Sequence, residues 1–155
     1  TSLVPTQKQS SRMVDIPVCY HPEYGLDILT YCKKRGLRAE ELVQIHTSIQ
    51  YHVYMLGFLP GFAYMGTVDK RIAGPRLDKP RTTVPVGSVG IAANQTGIYP
   101  LQSPGGWNII GRTPVQLFDL SKGNPSYFKP GDSVRFYEIS KSEFEKMSSL
   151  KVNKK

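Results

Sequence analysis

The sequence predicts a mainly β protein, a closed β-barrel with two or three short helices. Its 155 residues fit a single domain. Short stretches rich in β-branched and aromatic residues recur along the chain, and Gly, Pro, Asn and Ser separate them, as between the strands of a barrel. We therefore expect the barrel at 13–140, a flexible linker or terminus at 1–12, and a short helix with a basic tail at 141–155.

Two short amphipathic helices are expected between the first strand and the second. In the first helix, Leu26 and Leu29 fall on one face, and Gly36 can end the helix. The second helix is expected at 39–45, with its apolar residues facing inward. Because both are short, we expect them to cover one end of the sheet.

The strand candidates carry different signals. Pro17, in the first of them, favours a sheet edge or a bulge, because proline donates no backbone hydrogen bond. The strand at 51–56 indicates burial on both faces. Ser140 and Glu143 have the spacing of a capping box, which predicts a helix after the last strand. The expected strands cover residues 13–20, 51–56, 84–86, 89–92, 97–99, 107–112, 115–119 and 133–139.

Charge and composition exclude several classes of protein. The formal net charge of +8 comes without a motif that reads nucleic acid, so no nucleic-acid partner is expected. No apolar run approaches the roughly 18 residues of a membrane span, so no membrane association is expected. Cys19 and Cys32 lack CxxC spacing and predict two buried, reduced thiols in a cytoplasmic protein. The three histidines have no metal-binding spacing, so no metal site is expected.

Chemistry is expected in the segment 57–111, which holds 16 of the 26 glycines and prolines. Aromatic residues accompany them, and these are poor choices for a solvated coil. We interpret the segment as ordered loops whose glycines let backbone amides approach a ligand. The chain has no phosphate loop and no GxGxxG, and Val86 breaks a GxSxG pattern at 87–90, so no cofactor is expected on this chain.

Three groups of residues in this segment could contact a ligand. The turn at 57–66 either packs in the core or forms the aromatic wall of a pocket. Arg71, Arg76 and Arg81 either pair with neighbouring aspartates or hold an anion. At 94–114, the paired glycines Gly105 and Gly106 could form a nest for an oxyanion. Neutral side chains of this stretch could hydrogen-bond a substrate amide. Trp107 either stacks on that substrate or fills the barrel.

Three blocks of sequence resemble the allophanate hydrolase subunit 1 family: GFLPGFAYMG, PRLDKPRTTVPVGSVGIAANQTGIYPLQSPGGWNIIGRTP and KPGDSVRFYEI. That family includes KipI, a sporulation kinase inhibitor, and PxpB, a bacterial 5-oxoprolinase subunit. The resemblance implies a cyclophilin-like β-barrel, and residues 1–12 resemble the linker that follows a small α/β domain in family members. It also implies two partners: a second cyclophilin-like subunit, of the PxpC or allophanate hydrolase subunit 2 type, and a lactam-utilisation protein.

The resemblance also implies the residues of a substrate site. Arg81 is expected to hold a substrate carboxylate or a phosphorylated intermediate. Gln95 and Tyr99 would orient a lactam, and His46 would act as a general acid or base. The remaining positions expected in the site are Phe58, Gly61, Phe62, Tyr64, Ser88, Pro104, Trp107, and Gly105 with Gly106, whose amides would stabilise an oxyanion.

The sequence therefore predicts a subunit of an ATP-dependent 5-oxoprolinase, which converts 5-oxoproline to glutamate. Such a subunit would not be active alone and would use ATP through a partner. One alternative is a KipI-like inhibitor of a sensor histidine kinase, since the aromatic and proline-rich loops also suit a protein surface. The other is a carboxyltransferase-type partner in an allophanate or urea carboxylase-like system, with the biotin carrier on another chain.

Overall fold

The computed structural model describes residues 12–57 and 59–153, and within them the chain forms nine strands and three helices. The strands are β1 (Met13–Val18), β2 (Tyr51–Leu56), β3 (Ala63–Gly66), β4 (Arg81–Val84), β5 (Ser88–Ala92), β6 (Gln95–Ile98), β7 (Ser103–Gly105), β8 (Asn108–Arg112) and β9 (Ser133–Glu138). The helices are α1 (Ile28–Arg35), α2 (Ala39–Thr47) and α3 (Lys141–Asn153). Most of the predicted terminus, 1–11, and the last two residues of the basic tail lie outside the described residues.

Seven strands form one sheet in the order β1-β9-β2-β3-β6-β5-β8, with β1 parallel to β9 and the other pairs antiparallel. Directly after β1, Cys19 exchanges backbone hydrogen bonds of 2.9 and 3.0 Å with Arg112 at the end of β8. The two edge strands therefore meet, and the sheet is a nearly closed barrel, which confirms the predicted fold class. Pro17 lies in β1, an edge strand as predicted, and β4 pairs with β7 in a separate two-stranded ribbon.

Helix α1 ends as predicted but buries a different face. Gly36 adopts the left-handed conformation (φ 67°), and its N–H bonds to carbonyls of the last turn. Leu26 and Leu29, which were expected to form the apolar face of this helix, are 41% and 58% exposed, so that expectation is wrong. The helix begins only at Ile28, and the i, i+4 pair of Ile28 and Cys32 sets the buried face instead. Cys32 and Cys19 are buried free thiols, as predicted.

Three strand predictions needed correction. Strand β2 is buried on one face only, since its residues alternate between buried and exposed at its start. Residues 115–119 form no strand and contribute only an isolated bridge between Phe118 and Ser126. The predicted strand at 84–86 lies earlier, as β4. The C-terminal helix begins as predicted, because Ser140 and Glu143 exchange the two hydrogen bonds of a capping box, 2.7 and 3.1 Å.

Candidate functional site

The outer face of the barrel has a trough made by two glycines. Gly90 of β5 lies directly opposite Gly97 of β6. Their neighbours along each strand are buried in the barrel core, so the two glycines face outward, since side chains alternate along a strand. A Cβ atom on Gly97 would lie 3.1 Å from the Phe62 ring, and one on Gly90 would lie 3.0 Å from Cβ of Trp107. Two aromatic side chains thus occupy the space that the glycines leave.

Four aromatic side chains meet on this trough, and we call them the aromatic cluster: Phe62, Tyr64, Tyr99 and Trp107. The ring centroid of Phe62 lies 4.9 to 5.4 Å from the centroids of the other three rings. The centroids of Tyr64 and Trp107 are 6.1 Å apart. These distances are typical of tilted and edge-to-face aromatic pairs. Only Tyr64 is half-buried, and the others are buried. The structure therefore brings the predicted aromatic positions together, whereas Phe58 lies outside the described residues.

The ribbon of β4 and β7 covers the aromatic cluster, and we call this ribbon the roof. Arg81 of β4 is opposite Gly105 of β7, and Leu77 donates a backbone hydrogen bond of 2.7 Å to the carbonyl of Gly106. A Cβ atom on Gly105 would lie 2.7 Å from carbon atoms of the Tyr99 ring, so this position requires glycine. Both glycines are half-buried, and Pro104 is exposed beside them. One of the two predicted glycines, Gly105, thus lies against the predicted tyrosine.

The hydroxyl group of Tyr99 has no hydrogen-bond partner among the described residues, although it is fully buried. The peptide N–H of Trp107 faces this oxygen outside good hydrogen-bond geometry. Burial raises the pKa of Tyr99, and this amide and Arg76 oppose the shift. A buried hydroxyl without a partner loses about 1–3 kcal/mol of hydrogen-bonding free energy, and the structure retains this cost where Gly105 packs against the Tyr99 ring.

Arg81 is engaged by an acidic residue that sequence reasoning missed. Its two terminal nitrogens donate to the carboxylate of Asp27, at 2.6 and 2.8 Å. The same carboxylate, which is 8% exposed, accepts a 2.8 Å bond from the backbone N–H of Ile109. Asp27 directly precedes α1, where an aspartate usually indicates a helix cap, so its position carried no signal of this pairing. A ligand carboxylate would share or displace Asp27 at this guanidinium.

Arg76 is the cation that borders the aromatic cluster. Its guanidinium lies 5.7 Å from the centroid of the Trp107 ring. Within the described ranges it has no carboxylate within 4 Å, whereas Arg71 pairs with Asp69 at 3.0 Å, as one interpretation of the sequence expected. Of the three arginines considered as anion ligands, Arg76 is therefore the one left without an acidic partner.

His46 lies inside the barrel, on the opposite face of β6 from the aromatic cluster. It is fully buried, its Nδ1 is 2.7 Å from the Tyr20 hydroxyl, and its Nε2 is 3.1 Å from Oγ1 of Thr96. Oγ1 of Thr96 donates its only proton to the carbonyl of Gly90 at 2.8 Å, so it must accept from Nε2–H of His46, and Nδ1 accepts from Tyr20. Burial lowers the pKa of His46 to about 3. The structure therefore places this histidine away from the roofed site.

Three predicted positions are spread along the strands that frame the site. Gln95 begins β6 and is half-buried, four residues before Tyr99, or about 13 Å along an extended strand. Ser88 begins β5, is buried, and donates its hydroxyl to the carbonyl of Pro85 at 2.6 Å. Gly61 has a positive φ of 83° in the turn before β3. The structure therefore groups the aromatic cluster with Gly105 and Gly106 and leaves Gln95 at the far end of its strand.

No helix in the described ranges has the length and apolarity needed to span a bilayer. In the same ranges, His, Cys, Asp and Glu side chains form no group of three or more that could hold a metal ion.

Fold and sequence together define the class of this protein. Residues 2–128 match the family described as "Carboxyltransferase domain, subdomain C and D", and the chain belongs to that family. This finding confirms the resemblance carried by the three sequence blocks.

The most informative relatives carry a more specific name. The B-type subunit of 5-oxoprolinase from Bacillus subtilis (strain 168) is 49% identical over 133 residues, 86% of this chain and 55% of that protein. Its namesake in Escherichia coli O157:H7 is 46% identical over 81% of this chain and 58% of that protein. A conserved uncharacterized protein from Pyrococcus horikoshii has a similar structure, with a TM-score of 0.82 and 50% identity over 91% of this chain and 64% of that one. This chain thus spans a little over half the length of the curated relatives.

Proposed function

We propose that this chain is the barrel part of a 5-oxoprolinase subunit that acts in the cytoplasm and opens 5-oxoproline to glutamate with ATP. The observation that carries the proposal is the 49% identity to a protein named as a 5-oxoprolinase subunit, over most of this chain. The word "subunit" in that name supports activity in a complex. The partners we propose are a second cyclophilin-like subunit and a lactam-utilisation protein, with ATP bound by a partner.

The roofed aromatic cluster is the part of the chain that we propose contacts the lactam. Tyr64 is its half-buried member and offers a face on which a flat ring can stack. The hydroxyl of Tyr99 has no other partner among the described residues, and it would hydrogen-bond the lactam amide once the β4–β7 ribbon that covers it moves aside. The amides of Gly105 and Gly106 would stabilise negative charge on the carbonyl oxygen as water adds to it.

The remaining predicted residues receive roles that follow from their positions. Arg81 would hold the substrate carboxylate with the part of its guanidinium that Asp27 leaves free. Gln95 would contact the far end of the substrate or of a partner, since it lies at the other end of β6. His46 we propose as a positioning residue, because it fixes β6 through Thr96 from the interior of the barrel.

The test is a reconstituted complex of this subunit with its candidate partners, assayed for glutamate release from 5-oxoproline. Tyr99→Phe removes only the hydroxyl group, so we expect kcat/KM to fall at least about tenfold while the melting temperature is kept, because a bond worth about 1.5 kcal/mol is lost. Tyr127→Phe, at an exposed ring outside the cluster, is the matched control and should keep full activity. A verified complex of folded subunits without activity would count against the proposed function. Undiminished activity of Tyr99→Phe would remove this hydroxyl from the site.

A further inference from the structure

A small pocket lies between α1 and the loop that precedes β4, beside the aromatic cluster but separate from it. Its volume is about 120 Å³, which is enough for a small ionic group. The lining side chains that matter are Tyr31, Lys34, Arg35, Arg76, Asp78 and Asn108.

Three cations line this pocket without an acidic partner. Within the described ranges, Lys34, Arg35 and Arg76 have no carboxylate within 4 Å. Asp27 also lines the pocket, but its carboxylate is already bonded to Arg81. With that pair counted as neutral and the exposed Asp78 included, the lining keeps a net charge of +2. Clustered like charges without counterions are unfavourable, so the pocket is suited to an anion.

The backbone holds one of these cations in place. The guanidinium of Arg35 lies 3.7 Å from the centroid of the Tyr31 ring. Its Nε donates to the carbonyl of Ala73 at 3.1 Å, and its Nη1 donates to the carbonyl of Tyr31 at 3.2 Å. A Cβ atom on Gly74 would lie 2.5 Å from Cζ of Arg35, so glycine is required for this approach. No described group accepts a hydrogen bond from Nη2, which lies against Gly74.

We propose that this pocket binds the phosphate group of a small molecule. A phosphate group carries a charge of about −1.5 to −2 at pH 7 and has three acceptor oxygens, which matches the net charge of the pocket. Planar guanidinium groups bind phosphate with paired hydrogen bonds, and two of the three unpaired cations are arginines. The floor of the pocket is fixed as well, since the side-chain amide of Asn108 donates to the carbonyls of Pro75 and Ile91 at 2.8 and 3.0 Å.

Titration of the full chain with inorganic phosphate at low ionic strength, followed by amide NMR shifts, tests this proposal. Saturable shifts are expected at the amides of residues 34, 35, 74 and 76–78. The second basic pocket, which Arg12, Lys122 and Lys129 line, is an internal comparison and should not respond. Arg35→Gln and Arg76→Gln should each weaken binding at least tenfold. Arg76 is exposed, so its variant tests the site even where Arg35→Gln fails to fold.

Two further variants distinguish a site from general attraction to a basic surface. Asp78→Asn removes a like charge from the lining, so it should strengthen phosphate binding severalfold. Arg71→Gln removes an exposed arginine that already pairs with Asp69, so it should leave binding unchanged. The proposal would be overturned by equal effects of Arg71→Gln and Arg76→Gln, by weaker binding to Asp78→Asn, or by no saturation below about 10 mM phosphate.

Discussion

Mild acid should destabilise this fold through one interior side chain, His46. Both of its ring nitrogens are used by buried hydroxyl groups, and the neutral imidazole has a proton only on Nε2. A second proton on Nδ1 would face the oxygen of Tyr20 in a site without solvent. Burial therefore lowers the pKa of His46 from 6.5 to about 3 in the folded protein.

The sign and size of the effect follow from this difference in pKa. Below about pH 6.5 the unfolded chain binds a proton at this histidine, whereas the folded chain does not until about pH 3. The unfolded state therefore holds more protons in this window, and stability falls as the pH falls. Each pH unit is worth about 1.36 kcal/mol, so the free energy of unfolding should be about 2 kcal/mol lower at pH 5 than at pH 7.5. Carboxylates bind protons mainly below this range.

Urea unfolding at several pH values between 5 and 7.5 measures this dependence, and imidazole NMR of the folded protein measures the titration directly. His46→Gln should flatten the pH dependence, whatever its absolute stability. His52→Gln, at an exposed histidine, should keep it. A His46 resonance that titrates near pH 6.5, or the same 2 kcal/mol loss at pH 5 in His46→Gln, would show that burial of this imidazole does not cause the pH dependence.

Two further predictions concern the packing of the roof and the trough. Arg81→Gln leaves the buried carboxylate of Asp27 without its cation, so the free energy of unfolding in urea should fall by about 3 kcal/mol. A fall of less than about 1 kcal/mol would indicate that the pair behaves as an exposed ion pair and contributes little to stability. Gly97→Ala places a methyl group against the Phe62 ring, so a loss of about 1–3 kcal/mol is expected. Gly123→Ala, which has open space around it, should be nearly neutral, and equal losses in the two glycine variants would contradict a packed trough.

Local signals in the sequence predicted local structure well. Gly36 and the pair of Ser140 and Glu143 act within one helical turn, so their positions alone identified the helix ends. The inner face of α1 was predicted wrongly, because two leucines outside the buried face suggested a helix that starts earlier. Packing against the barrel decides which face of this helix is buried, and no local sequence pattern encodes that packing.

The site could be predicted in its parts but not in its arrangement. The aromatic residues and glycines of 57–111 indicated ordered loops that either pack in the core or form a pocket wall, and the structure joins them on one trough. That trough depends on the register that places Gly90 opposite Gly97, and strand register is set by long-range pairing. The pairing of Asp27 with Arg81 likewise joins residues 54 positions apart. Contacts between residues so far apart in the sequence can be identified only from the folded structure.

The ion pair of Arg81 with Asp27 determines how firmly the roof is held. A two-stranded ribbon is marginal by itself, and this one is tied to the barrel through a carboxylate that also accepts the N–H of Ile109 in β8. The ribbon in turn places Gly105 over Tyr99. Loss of activity in an Arg81 variant therefore has two physical causes, a lost ligand contact or a displaced roof, and stability separates them. An inactive variant that unfolds at the same urea concentration as the unmodified protein indicates a lost ligand contact. A variant that loses both activity and stability indicates that Arg81 mainly anchors the roof.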